Sequence, residues 1–356
     1  MSEFIHGIDL SRRFFEEVVQ PLLEQGFPGL AYAGALLGPG SDVLGYDTEL
    51  SVDHGWGPRV DVFLSDHSSS DLQRAVAAHL SERISPRFAE FPVRVQPLAD
   101  DSGGITLWFA SKVLTPRAFA RAYFAIDEAN AITSIDWLTL PTQKLRTIAV
   151  GPVFHDGIGL EAWRQQFSWY PHDVWLYLLA AGWNRIGQEE HLMGRAGQAG
   201  DELGSAIIGA RLVRDLMRLC FLMERRFAPY AKWFGSAFQQ LRCAATLALP
   251  LRSALAATTW QDRERSLVVA YEHVATMHNA LGITPPVIAE VQPFYSRPFA
   301  SIATRGFAAA IAACIRDPGV RLLLDRPWIG AIDQFSDSTD LLEASTLRRA
   351  IRSLYV

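Results

Sequence analysis

Cysteine is scarce in this 356-residue chain. The three present, Cys220, Cys243 and Cys314, lie far apart with no Cys-x-x-Cys spacing. That excludes a disulfide framework, fits a reducing cytoplasm and reads the thiols as buried apolar side chains. Long apolar runs are also missing. No stretch approaches the ~18 residues of a membrane span, so no spanning helix is expected. The N-terminal MSEFIHGIDLSRRFFEE lacks the basic-then-apolar order of a secretory leader. Positive charge is not in excess: 33 Lys and Arg against 38 Asp and Glu give a net charge of −5. No global field draws in nucleic acid, and any polyanion site must be local. Internal repeats and low-complexity linkers are absent as well.

What remains is an ordinary folded composition, 49% apolar and 20% charged, with ten Trp to fill cores or pocket walls. The length suits two or three domains. In residues 9–25, Phe14, Phe15, Val18, Val19, Leu22 and Leu23 recur at helical spacing, with Pro21 expected to bend the helix. LAYAGALLG (30–38) reads as a short buried strand. PRVDVFLS (58–65) reads as a second, with Val60, Val62 and Leu64 on one face and Asp61 and Phe63 on the other. Ser70 and Gln73 form a capping box for a helix over 72–84. FPVRVQPL (91–98) and GITLWFA (104–110) alternate as two more strands. Residues 115–150 look mainly helical, with a short strand near 148–154. From Leu160 onward the period is helical, including 173–195 and 201–227. The expected fold is therefore α+β: a small mixed sheet with flanking helices over residues 1–112, then a large, mainly helical domain over 113–356 with a possible sub-boundary near 285.

The chemistry concentrates in GPGSDVLGYDTELSVDHGWGPRVDVFL, residues 38–64. A Gly-Ser turn leaving a strand presents backbone N–H groups and a hydroxyl, which suit phosphate oxygens. Gly40 and Ser41 are thus candidate phosphate binders. Mg²⁺ takes hard oxygen ligands, usually one or two carboxylates plus phosphate oxygens. Asp53 is placed for that role, and Asp61 lies on the next strand. Arg59, at the mouth of that strand, can pair with phosphate or with Asp61. His54 can donate to phosphate or orient Asp53, and Trp56 can stack on a base or pin the loop. Lys232, flanked by Tyr230-Ala231 and Trp233 after a turn, suits a triphosphate whose base is covered by the rings.

This arrangement resembles the nucleotidyltransferase superfamily of the DNA polymerase beta type. Its signature is an apolar residue, Gly, then Gly or Ser, and a short loop later Asp-x-Asp on the next strand. Gly40-Ser41 and Asp53 match it. The layout, a minimal α/β sheet followed by a helical bundle, is similar to antibiotic nucleotidyltransferases. The segments SVDHGWGPR, VFHDG, YPHDVW, APYAKWFGSAF and PWIGAIDQFSDSTDLL extend the resemblance to one poorly characterised branch. It implies a metal-dependent enzyme that moves an NMP, with AMP the expected one, from an NTP bound between sheet and bundle. Mg²⁺ or Mn²⁺ would be held by Asp53 and Asp61, which would be the catalytic pair. Gly40, Ser41, Arg59 and Lys232 would bind the nucleotide. The acidic charge argues for a small-molecule or protein acceptor over nucleic acid.

The second Asp of the signature falls at Gly55. Three repairs are open. Asp61 can serve from the neighbouring strand, Asp47-x-Glu49 can substitute, or the site is degenerate and the protein binds nucleotide without turnover. Elsewhere, Arg211, Arg214 and Arg218 share a helical face, as a salt-bridged surface with Asp215 pairing Arg211 or as a phosphate-facing stripe. Glu189-Glu190-His191 reads as an exposed helix end rather than a metal cluster. A general base would come from Asp156, Glu161 or Asp173. The acidic run at Asp333, Asp337, Asp340 and Glu343 is a helix cap, Asp340-x-x-Glu343, rather than a Ca²⁺ loop.

Overall fold

Burial of the Phe14, Phe15, Val19 and Leu23 stripe organises the N-terminal part of the computed structural model. It describes residues 4–52, 56–93, 111–127 and 132–356. The expected helix is present but composite. It runs as an α-helix over Gly7–Phe14, widens to a π-helical turn over Phe15–Val19, and resumes over Gln20–Gly26. Pro21 has no N–H to donate to the preceding turn, and the widening falls immediately before it.

Among the described residues the strands are β1 (Tyr32–Ala35), β2 (Val60–Leu64), β3 (Arg87–Phe88), β4 (Phe91–Pro92), β5 (Ser111–Leu114), β6 (Val153–Asp156), β7 (Gln292–Phe294) and β8 (Arg297–Ser301). Among the described residues a mixed sheet has the order β5-β2-β1-β6. β1 runs antiparallel to β2 and to β6, and β2 runs parallel to β5. Val60, Val62 and Leu64 face the composite helix and Val76 and Leu80 of the helix Ser70–Arg83. Each such buried side chain contributes about 1.5–3 kcal/mol. On the other face, Phe63 meets Phe119 with ring centroids 5.7 Å apart. The alternation expected along 58–65 is therefore present. The cap of the Ser70–Arg83 helix is Ser69, one residue earlier than expected, whose side chain accepts from the Leu72 amide. The strand expected over 104–110, and all but the first three residues of the one over 91–98, lie outside the described residues.

Two compact units emerge. One comprises Met1–Ile132 and Gln143–Ser168, so it extends past residue 112 and includes β6; the other comprises Thr133–Thr142 and Trp169–Val356. The second is mainly helical, built around His172–Gln198, Glu202–Met223, Ala244–Ala256 and Trp260–Ala280. Gly197 lets Trp260 lie directly on the first of these, where a Cβ would sit 2.2 Å from the indole. The β7–β8 hairpin within this unit was not expected from the sequence. Among the described residues no helix is long and apolar enough to cross a membrane.

Candidate functional site

β1 ends at Ala35, which lies opposite Asp61 near the start of β2. The loop carrying Gly40 and Ser41 therefore leaves the sheet at the end where Asp61 enters it. Ser41 is buried, and its carbonyl accepts from the Tyr46 amide at 2.9 Å. The Asp42 carbonyl accepts from the Gly45 amide at 2.9 Å, which closes a turn. Gly40 has φ +150°, and a Cβ there would stand 2.1 Å from Asp42 Oδ1 and 2.5 Å from Arg59 Nη2. Only glycine fits this position.

In this structure Arg59 pairs with Asp42, a partner the sequence did not suggest. Its Nε donates to Asp42 Oδ2 at 3.2 Å and its Nη2 to Asp42 Oδ1 at 2.9 Å. Nη2 also donates to the Pro39 carbonyl at 3.0 Å. Asp42 is fully buried, and this bidentate pair satisfies it. Burial works against the guanidinium charge, but Asp42 overcomes it and raises the Arg59 pKa. Asp61 lies near enough to add to that effect.

Asp61 is half-buried on β2, beside Lys112 of β5 in register. Burial pushes its carboxyl above the usual carboxylate range, against the pull of Lys112 and Arg59 and a hydrogen bond from the Lys112 amide. Asp53, His54 and Gly55 lie outside the described residues.

Asp47 accepts from the Gly7 amide at 2.6 Å and the Trp56 indole at 2.9 Å, with His6 Nδ1 at 3.2 Å. Burial works upward on its pKa, but the Gly7, Trp56 and His6 contacts outweigh it and hold the carboxyl low. Asp47 is thus a clasp on the helix Gly7–Phe14, which removes the Asp47-x-Glu49 repair. Trp56 pins the loop: its ring stacks on Phe4 at 5.9 Å and meets Phe91 edge-on at 4.9 Å. Two supports were missed by the sequence reading. One is Asp42 itself; the other is Arg146, whose Nη2 donates to the Tyr46 hydroxyl at 2.9 Å.

The general-base candidates are committed elsewhere. Asp156 accepts from the amides of Ile158, Gly159, Leu160 and Glu161, capping the next helix. Glu161 pairs with Arg164 through both oxygens. Asp173 accepts from the amides of Arg316 and Asp317.

Lys232 belongs to the second unit, is exposed, and lies 4.9 Å from the centroid of the Trp233 ring. In that unit the arginine face is salt-bridged. Arg211 pairs with Glu189, not Asp215; Asp215 faces Arg185 and Arg214, and Asp337 faces Arg214 and Arg218. Glu189 and Glu190 are buried rather than exposed, and Glu190 accepts from Ser301 and the Ile302 amide. The cap of the Thr339–Glu343 helix is Ser338 rather than Asp340.

The family described as a domain of unknown function (DUF4037) matches residues 137–234. That stretch includes Lys232 and excludes the 38–64 loop. No curated protein and no solved structure matches the chain.

Proposed function

We propose that this protein is a metal-dependent nucleotidyltransferase that moves AMP from ATP to a small-molecule or protein acceptor. The observation that carries the reading is the β1–β2 register. It sets the braced Gly40-Ser41 loop and the Asp61 carboxylate at one end of the same sheet. The donor chemistry fits a hard cation. Asp61 offers oxygen ligands, whereas Asp42 and Asp47 are already engaged by several protein donors. Asp61, with Asp53, would hold Mg²⁺ or Mn²⁺. A cation there would neutralise charge on the attacked phosphorus and the leaving pyrophosphate. The Ser41 hydroxyl and the amides of Gly40 and Ser41 would donate to the outer phosphates. The braced loop fixes those donors before the ligand arrives, so little reorganisation opposes in-line attack by the acceptor hydroxyl on the α-phosphorus.

A second reading, a nucleotide-binding protein without turnover, is favoured by Gly55 in the signature and by the loss of Asp47 as its substitute. Pyrophosphate release from ATP, with Mg²⁺ or Mn²⁺ over a panel of hydroxyl acceptors, tests the first reading. Release abolished by Asp53→Ala supports the enzyme. ATP binding that is indifferent to metal, with no release, supports the second reading.

A further inference from the structure

We infer that Arg59 is a positioning residue that acts through Asp42, and not a ligand of phosphate; this rests on the nucleotide reading of the Gly40-Ser41 loop. Three of the five guanidinium N–H groups are committed, two to the Asp42 carboxylate and one to the Pro39 carbonyl. Turning Arg59 onto a phosphate would leave Asp42, at 0% exposure, as an unpaired buried charge. The ion pair stays closed when a ligand arrives.

What it does instead is set which backbone groups face outward. An anion is repelled by carbonyl oxygens and attracted by amides. In this loop the Pro39 carbonyl is held by Arg59, the Ser41 carbonyl by the Tyr46 amide and the Asp42 carbonyl by the Gly45 amide. The Val43 amide is taken by Asp42 Oδ1 at 2.9 Å. Arg59 thus holds one loop carbonyl directly, and its pair with Asp42 anchors the turn in which the Ser41 and Asp42 carbonyls are taken up by the loop's own amides. The Arg59 amide is in turn 3.4 Å from the hydroxyl of the buried Ser11, which ties the brace to the N-terminal helix.

The two roles give opposite signs in one experiment. The full chain is titrated with MgATP as wild type, Asp42→Asn, Arg59→Gln and the double variant. Positioning predicts that Asp42→Asn weakens MgATP at least tenfold, although Asp42 repels phosphate. It also predicts that the neutral Asn–Gln pair of the double variant recovers affinity to within about threefold of wild type. Direct phosphate contact predicts unchanged or tighter binding in Asp42→Asn and no recovery in the double variant, and either result overturns the inference. If a single variant fails to fold, the double variant decides alone, by recovery or by a loss above thirtyfold. Amide exchange over residues 38–46 without nucleotide gives an independent reading. A rise of at least tenfold in Asp42→Asn, with β2 unchanged, supports the brace even if the wild type binds no ATP, which would sink only the nucleotide reading. Unchanged exchange overturns the brace.

Discussion

Arg59 grips both carboxylate oxygens of Asp42 across the mouth of the loop, at 3.2 and 2.9 Å, and Gly40 passes so close that a Cβ would touch both partners. Two glycines of the loop should therefore respond differently to alanine. Gly45→Ala meets open space and a left-handed φ of +69°, a strain of about 1 kcal/mol. Gly40→Ala adds a collision with the ion pair and should cost on the order of 3 kcal/mol or more. Urea denaturation of the two variants checks the ranking.

Asp61 lowers stability at neutral pH. Its folded pKa is raised by burial, so the stability it contributes is present below the unfolded value of 3.8 and lost as pH rises through the folded value. At neutral pH the group is a net cost. Asp61→Asn should raise Tm by a few degrees, as removal of a desolvated buried charge does. It should also abolish metal-enhanced ATP binding. Thermal melts at pH 7 and at pH 3 check the sign: the gain should vanish at the lower pH.

Asp47 behaves oppositely. Hydrogen bonds from Gly7, Trp56 and His6 hold its pKa below 3.8, so its stabilisation is full above that value and is lost as pH falls through the folded pKa. Asp47→Asn should cost about 1–3 kcal/mol at pH 7. The difference from wild type should shrink as pH falls below 3.8 in an acid titration followed by Trp fluorescence.

His278 controls a separate pH window in the second unit. It is fully buried beside Trp183 and Phe307, and burial lowers its pKa from 6.5 to about 4. The unfolded chain takes up this proton first, so stability should fall as pH drops from 6.5 toward 4. The total is on the order of 3 kcal/mol. His278→Gln should remove that component while leaving the Asp47 component at lower pH intact.

The sheet and its facing helices were legible because their signals are periodic. Val60, Val62 and Leu64 alternate, and Phe14, Phe15 and Val19 recur at helical spacing. The Gly40-Ser41 turn was legible because a glycine after a buried strand marks a break in the chain direction. Asp42 was not. An aspartate after Gly-Ser reads as one more turn residue, and its partner is 17 positions away, beyond any local period. Arg146 reaches Tyr46 across 100 positions, with nothing in its own segment to suggest it. The arginine face over Arg211–Arg218 followed helical spacing correctly, but its partners Glu189 and Asp337 lie on other segments, and Asp215 is taken by Arg185 from another helix. Helical spacing favoured Asp215 for Arg211 over the tertiary partner Glu189.

The central claim is that the Gly40-Ser41 loop and Asp61 hold one nucleotide and its metal. Calorimetric titration of ATP into wild type and Asp61→Asn, each with and without Mg²⁺, tests it most directly. The account predicts that Mg²⁺ tightens binding at least tenfold in the wild type and has no effect in Asp61→Asn. Equal Mg²⁺ enhancement in both proteins, or no ATP binding by the wild type, would contradict it.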